Sequence, residues 1–317
     1  MTIEGDSAAR ADGTAVAAPV VSVIIPHLDT PELLARCLGS VTGQELRQGP
    51  FEILVVDNGS RLSLDAVRTA YPQVRYLSEA APGPGLARNT GAAAARAPLL
   101  AFIDADCRAE RGWLQAAVDA VAADPAHSVV GGDVRIDFID PVHLTPVEAY
   151  EAVFAYRQQW YIATLQFSGT GNLAMGREVL AAVGPFAGIE VAEDRDWGRR
   201  AAAAGYAARY VAPMRIYHPG RTSFEQLTRK WQRHIGHDYH DHVAAGRSGL
   251  RWRLLALAVF ASAFVHAPRV LRSDRLSGLA NRARGIGVLV RIRAWRCREM
   301  WRVARVGGAS EQAWRQK

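Results

Sequence analysis

Three apolar runs rich in β-branched residues, each closing on polar or acidic residues, constrain this chain more than any other feature. VVSVII (residues 20–25) stops at Pro26 and leads to His27 and Asp29. FEILVV (residues 51–56) ends on Asp57-Asn58-Gly59-Ser60, and LLAFI (residues 99–103) delivers Asp104-Ala105-Asp106. Runs that are apolar at nearly every position suit strands covered on both faces, as in a buried parallel sheet. Segments with helical spacing alternate with them: Leu33, Leu34, Cys37, Leu38 and Val41 after the first, residues 64–70 after the second, and residues 112–123 after the third. The expected architecture is α/β, built on a mostly parallel central sheet.

Ligands of an open parallel sheet bind beyond the carboxyl ends of its strands. The polar clusters of this chain fall at those ends. Single acids there start turns or cap helices in many proteins, but three clusters converging on one rim repel unless a cation or a donor-rich ligand sits among them. Asp104 and Asp106, at i and i+2 after a buried strand, are hard oxygen donors suited to Mg²⁺ or Mn²⁺ with a diphosphate as co-ligand. Glu193 and Asp194 precede an amphipathic segment, where acids complement a helix dipole or take a proton from an attacking hydroxyl. GPGLARNTG (residues 83–91) looks superficially like a dinucleotide fingerprint, yet Arg88 stands at its third glycine and it follows a later short strand, VRYL (residues 74–77), not the first. It reads better as a loop and helix start that sets Arg88 beside an anion.

The segments VSVIIPHLD, ILVVDNGS, GLARNTG, AFIDAD, the GTGN loop with LAMGREVLAAVGPF, and EDRDWGRRAAAAGY occur in this order. Together they resemble a family 2 glycosyltransferase of the GT-A fold, a nucleotide-binding Rossmann-like domain, over residues 20–220. The resemblance implies an inverting, metal-dependent transfer of a sugar from a nucleotide-sugar donor to an acceptor hydroxyl. It implies that Pro26, His27, Asp29 and Asp57 hold the base and ribose, with Arg88 on the nucleotide side. It implies Asp104 near ribose and metal, Asp106 on the metal, Asp194 with Glu193 beside it at the base position, and His218 near metal and diphosphate. Asp29 stands where asparagine is frequent in such proteins, and Asn58 where a second aspartate is frequent.

The charge is divided. The chain carries a net +7, but residues 221–317 hold 20 Lys+Arg against 6 Asp+Glu, whereas residues 1–220 hold 18 against 25. The expected organisation is a flexible tail (1–19), the catalytic domain (20–220) and a basic helical extension (221–317). Thr222 and Glu225 predict a capping box for a helix bearing Phe224, Leu227, Trp231 and Ile235 on one stripe. Arg229, Lys230 and Arg233 lie off that stripe, facing a diphosphate or a phosphorylated acceptor, and Tyr156 and Trp160 are candidate stacking surfaces for an acceptor. Four histidines (His234, His237, His240, His242) with Asp238 and Asp241 suit a solvated or capping cluster better than a metal site.

The longest apolar stretch, residues 254–265, has 12 residues between Arg253 and Pro268. A bilayer needs ~20, so no spanning helix is expected. Apolar faces edged with arginine suit either a helical cap or helices lying on an anionic membrane surface. With three scattered cysteines and no apolar leader visible in residues 1–20, the expectation is a cytoplasmic chain, peripheral on the inner face of the plasma membrane if the arginines share a face. The acceptor expected is a glycan, a lipid-linked sugar or a small metabolite. Two rivals compete. A sugar-1-phosphate nucleotidyltransferase would need a glycine-rich phosphate loop after the first strand, where PHLDTPE stands instead. A nucleic-acid-binding protein would need aromatics such as Trp295 and Trp301 interleaved with arginine on one surface; with an acidic rim, no nucleic acid is expected.

Overall fold

The computed structural model describes residues 17–306. Most of the tail expected over residues 1–19 lies outside them.

Strand β1 (Val21–His27), helix α1 (Pro31–Thr42), β2 (Phe51–Asp57), α2 (Asp65–Ala70), β3 (Arg75–Ser78), α3 (Pro84–Ala94) and β4 (Leu99–Ile103) form a parallel β/α half. There follow β5 (Arg108–Ala109), α4 (Trp113–Ala122), β6 (Val129–Asp137), α5 (Pro146–Phe154) and the short α6 (Gln158–Trp160). The chain continues through β7 (Asn172–Gly176), α7 (Arg177–Val183), α8 (Glu193–Ala203) and β8 (Arg209–Pro219). Helices α9 (Phe224–Ala244), α10 (Gly249–Leu271) and α11 (Leu279–Val306) complete it. The eight strands make one sheet in the order β3-β2-β1-β4-β7-β6-β8-β5. β7 runs antiparallel to both β4 and β6, while β6 and β8 run parallel.

Alternate strand residues feed opposite faces, as the two-residue period of a strand requires. Val23, Ile25, Val55, Ala101 and Ile103 join Leu34, Leu38 and Trp113 on one face, and Ile24, Leu54, Leu100 and Phe102 join Phe186 and Trp197 on the other. The predominantly apolar runs therefore have helices on both sides. β6 is one continuous strand whose register against β8 shifts between Gly132 and Asp133. Gly132 is required there because a Cβ would collide with the Met214 carbonyl.

Thr145 caps α5 in a reciprocal box with Glu148, as the sequence predicts: Glu148 N–H donates to Thr145 Oγ1 at 3.2 Å and Thr145 N–H to Glu148 Oε2 at 2.8 Å. Aromatic residues at helical spacing (Tyr150, Phe154 and Tyr161) run past the end of this helix in the sequence, but the helix does not follow them. The helix ends at Phe154, and residues 158–165 turn tightly into a π-helical segment. The cap of α9 also differs from expectation: Ser223, not Thr222, accepts from Gln226 N–H at 3.2 Å.

The basic extension is anchored on α5. Leu144, Val147 and Tyr150 share a core with Leu227, Ala263, Val270, Leu289 and Ile292. Arg275, between α10 and α11, reaches Asp133 of β6 at 3.0 Å, and Arg221 holds the buried Glu151 at 2.6 Å. Helix α10 runs 23 residues, straight through Pro268, and it alone among the described residues is long and apolar enough to cross a membrane by length and composition. The 12-residue bound drawn from the sequence took Arg253 and Pro268 as limits. Pro268 is exposed, so the carbonyl it leaves unbonded one turn back can be solvated and need not end the helix.

Asn172 joins three strands in the dry interior. Its Nδ2 donates to the carbonyls of Asp133 and Met214, both at 2.9 Å, and its Oδ1 accepts from Trp113 Nε1 at 2.9 Å. Asn172→Ala leaves three buried groups unsatisfied and is expected to destabilise by about 3 kcal/mol. A urea midpoint close to that of the unaltered protein would show that the network carries little.

Candidate active site

A cavity of about 1760 Å³ opens beyond the carboxyl ends of β1, β2 and β4 and is roofed by α5, α8 and α9. Its floor is set by Arg88, whose side chain is only 3% exposed and lies between two carboxylates. It bonds Asp104 Oδ1 at 2.6 Å and Glu193 Oε1 at 3.2 Å. A guanidinium this deep needs paired anions to offset its desolvation, and the pairing draws the end of β4 and the start of α8 together. Gly171 lets the GTGN loop close on this centre, since a Cβ there would strike the Asp104 carboxylate. Asn89, next to Arg88, ties α3 to the segment after α7 through reciprocal 2.9 Å bonds with the backbone of Phe186.

Asp106 and His218 meet at 3.2 Å between carboxylate and Nε2. His218 Nδ1 faces the Pro219 carbonyl at 2.8 Å, which directs the Nδ1 proton outward and leaves Nε2 toward Asp106. Burial opposes charge on both groups, but their mutual hydrogen bond prevails: the Asp106 carboxyl is pulled below its ordinary value and the His218 imidazole is raised. Cys107 Sγ lies close by, and among the described residues Asp106, Cys107 and His218 are the one group of such ligands near enough to share an ion. Burial foremost, with the charges of Asp106 and Asp104, pushes the Cys107 thiol well up, so it stands there as a weak donor. Asp104 is turned to Arg88 and is not part of this group. The histidines of α9 form no such group either, and His242 is buried with its Nε2 on the Ser248 carbonyl at 3.0 Å.

Asp194 and Glu193 line the same cavity as Asp106. Burial, and then the neighbouring Glu193 charge, raise the Asp194 carboxyl above its ordinary value. Lys230 lines the cavity with its Nζ 5.7 Å from the centre of the Tyr156 ring, which itself lies 5.0 Å from that of His218. Burial and the cations Arg221 and Arg233 lower its ammonium to about 8.

Several expected positions fall elsewhere. Pro26, His27 and Asn58 line the cavity, but Asp29 and Asp57 do not. Asp29, in a left-handed conformation (φ 51°), accepts from the amides of Arg61 and Leu62 at 2.6 and 3.1 Å and ties down that loop. Asp57 is engaged by the Ser60 hydroxyl and by His27 Nδ1 at 3.4 Å. Arg233 lines the cavity, whereas Arg229 lies outside it, paired with Glu225 at 2.5 Å. Tyr156 lines the cavity with the His218 ring tilted against it and the Lys230 ammonium near its ring. Trp160, 40% exposed, lines the cavity with Arg157 over its ring at 4.4 Å. Arg157, Arg195 and Arg293 also line it, and nothing in their local sequence distinguished them from the other arginines.

The profile of glycosyl transferase family 2 matches residues 22–189, more than half of the chain. The chain belongs to this family. Its relatives include the glycosyltransferase AglE of Haloferax volcanii, 31% identical over 288 residues, which span 88% of this chain and 93% of that protein. Validoxylamine A glucosyltransferase of Streptomyces hygroscopicus is 37% identical over 119 residues, covering 36% of this chain and 26% of that one. A mannosyltransferase of Pyrobaculum calidifontis, solved with GDP-mannose and Mn²⁺, superposes with a TM-score of 0.51 at 18% identity, over 94% of this chain and 80% of that one. The fold is of the GT-A type, and a family 2 member of this kind is a glycosyltransferase.

Removing the central cation should loosen the site. Arg88→Met is expected to cost about 2 kcal/mol, discounted because Asp104 and Glu193 are partly solvated. Unfolding in urea measures this, and an unchanged midpoint would mean that the two carboxylates need no clamp.

Proposed function

We propose that residues 20–220 form the catalytic domain of an inverting, divalent-metal-dependent glycosyltransferase, with residues 221–317 as a helical extension that completes the cavity and meets the membrane. The carrying observation is that Asp106 with His218 and Asp194 with Glu193 line one cavity, bridged by Asp104 and Arg88. The donor would be a nucleotide-activated sugar, its base beside Pro26, His27 and Asn58.

Asp106 and His218 fit a hard divalent cation such as Mg²⁺ or Mn²⁺: a carboxylate and an imidazole nitrogen converge, and the other ring nitrogen is already engaged by a carbonyl. A cation bound there would act as a Lewis acid toward the diphosphate. The chain's own part begins with Lys230 and Arg233, whose positive charges face the negative charge that builds on the departing nucleoside diphosphate. Asp194 accepts the proton of the acceptor hydroxyl as its oxygen bonds to the anomeric carbon. The bond from that carbon to the diphosphate oxygen breaks on the opposite side, so one displacement inverts the centre and no enzyme nucleophile is used. Burial, and then the adjacent Glu193 charge, hold this base more basic than an ordinary aspartate.

The exposed side of α10 supports docking on an anionic bilayer. Leu254, Leu257, Phe264 and Val265 are solvent-exposed, the last two at 67% and 75%. Arg247, Arg251 and Arg253 are exposed at one end and Arg269 and Arg272 at the other, matching anionic headgroups at about 1 kcal/mol per basic residue near the surface. The opposite side of α10 packs along the arginine-rich α11, which favours lying in the interface over crossing it. In this reading the protein docks on an anionic, cytoplasmic leaflet. No observation favours the nucleic-acid rival: Trp295 and Trp301 pack against helical core clusters and are not interleaved with arginine on an open surface.

Asp194→Asn should keep nucleotide-sugar binding and lose transfer by about 10²–10⁴-fold, while Asp106→Ala should abolish the part of donor binding that calorimetry finds to depend on Mn²⁺. In the unaltered enzyme, transfer should fall with acid through a value above the 3.8 of an ordinary aspartate, because Asp194 must be ionised to act. Near-normal turnover in Asp194→Asn removes the base assignment. The membrane reading is checked by flotation with phosphatidylserine vesicles at low salt: the chain should float, Phe264→Asp/Val265→Asp should remain below, and failure of the unaltered chain to float discards it.

A further inference from the structure

The cavity has a second polar corner that the transfer step leaves unused. Past the end of α5, Arg157 lines the wall and stacks on Trp160. Arg293 of α11 lines the same wall and brings a guanidinium nitrogen to 3.4 Å from His266 Nδ1 of α10. His266 in turn packs on Phe154, with ring centres 6.2 Å apart. Arg269, three residues further along α10, acts electrostatically on both Arg157 and His266.

Among the described residues, Arg157, Arg269 and Arg293 have no carboxylate partner, and Arg293 Nε is buried without an acceptor. Arg88, Arg221 and Arg275, by contrast, are each paired with carboxylates. Arg157 and Arg293 on the cavity wall, with the exposed Arg269 near enough to act on Arg157, repel one another. Burial first, and then Arg293, Arg269 and Arg157, hold the His266 imidazole below its ordinary value, so it does not add a fourth charge. Such a corner is stabilised by an anion, and guanidinium forks match phosphate oxygens.

Location identifies the anion further. The corner sits at the end of α10 where the exposed apolar face (Leu257, Phe264, Val265) gives way to Arg269. One side therefore borders a surface suited to hydrocarbon, and the other opens into the cavity that holds Asp194. We propose that Arg157, Arg269 and Arg293, with His266, seat the phosphate of a lipid-linked acceptor. Its chain lies along α10 and its sugar enters the cavity toward Asp194. The proposal rests on the glycosyl-transfer reading and names the acceptor class for it.

The test uses the full chain and phosphatidylcholine vesicles carrying a long-chain alkyl monophosphate, phosphatidylserine, or the matching long-chain alcohol. Cosedimentation should show about tenfold tighter binding to the alkyl phosphate than to phosphatidylserine at equal surface charge, and weakest binding to the alcohol. Arg157→Gln/Arg293→Gln should erase that margin while retaining phosphatidylserine binding, nucleotide-sugar binding and the unfolding temperature. Arg157→Lys, which keeps the charge but loses the fork, should lose part of the margin and guards against a misfolded double variant. Equal binding of the unaltered chain to the two anionic vesicles, or an undiminished margin in the double variant, overturns the proposal. Inorganic phosphate that raises the unfolding temperature as much as the alkyl phosphate assigns the corner to a soluble anion and overturns the lipid. Absence of nucleotide-sugar binding would instead sink the transferase reading, while the vesicle margin still reports on the corner.

Discussion

The buried guanidinium of Arg88 is the constraint around which the site is organised. A cation withdrawn from water to this degree is stable only with anions beside it, and its two partners come from segments nearly ninety residues apart, Asp104 at the end of β4 and Glu193 at the start of α8. Helix α3, which carries Arg88, can approach only because its neighbours permit it. Gly91 lies against Ile24, and a Cβ at Gly85 would collide with the Ala187 carbonyl. The small-residue character of GPGLARNTG therefore serves close helix packing and the seating of one charge, not a pyrophosphate loop.

Much of the parallel half was legible because burial on both faces leaves a direct trace: β1, β2 and β4 are predominantly apolar runs, and acids stand at or just beyond their carboxyl ends. Long-range partnerships leave no such trace. Asp29 and Asp57 have the same sequence appearance as Asp104 and Asp106, yet the first pair is consumed by the amides of Arg61 and Leu62 and the hydroxyl of Ser60. The break after Phe154 was invisible for a related reason. Aromatic spacing continued past it, while the turn is shaped by contacts with distant elements, such as Gln158 Oε1 accepting from Gly169 N–H at 3.3 Å.

The basic third shows how little a charge count conveys. Arg275 and Arg221 neutralise buried acids of the catalytic half, and Arg282 donates to the carbonyls of Val270, Leu271 and Ser273 where α10 ends. Arg302 pairs with Glu299 along α11. These arginines are structural, and they secure the extension against α5 and β6. Among the described residues, the arginines exposed on α10 and those at the cavity corner have no such carboxylate partner. The net charge of a segment is thus a poor guide to its partners until each cation has been assigned.

The two acidic pairs in the cavity differ in a way that bears on their chemistry. Asp106 is held ionised by His218, which favours its carboxylate form despite burial. Asp194 has only a backbone amide and distant cations to set against burial and the adjacent Glu193, and its basicity rises. Environments that push two carboxylates in opposite directions separate a group that must stay charged to hold a ligand from one that must exchange a proton. Arg88 pairs with Asp104 and Glu193 and leaves Asp194 without a hydrogen-bonded cation, so its charge offsets the rise at Asp194 only in part. Were the guanidinium to pair with Asp194 instead, the same residues would line the same cavity, but the carboxylate would be too weak a base for an acceptor hydroxyl.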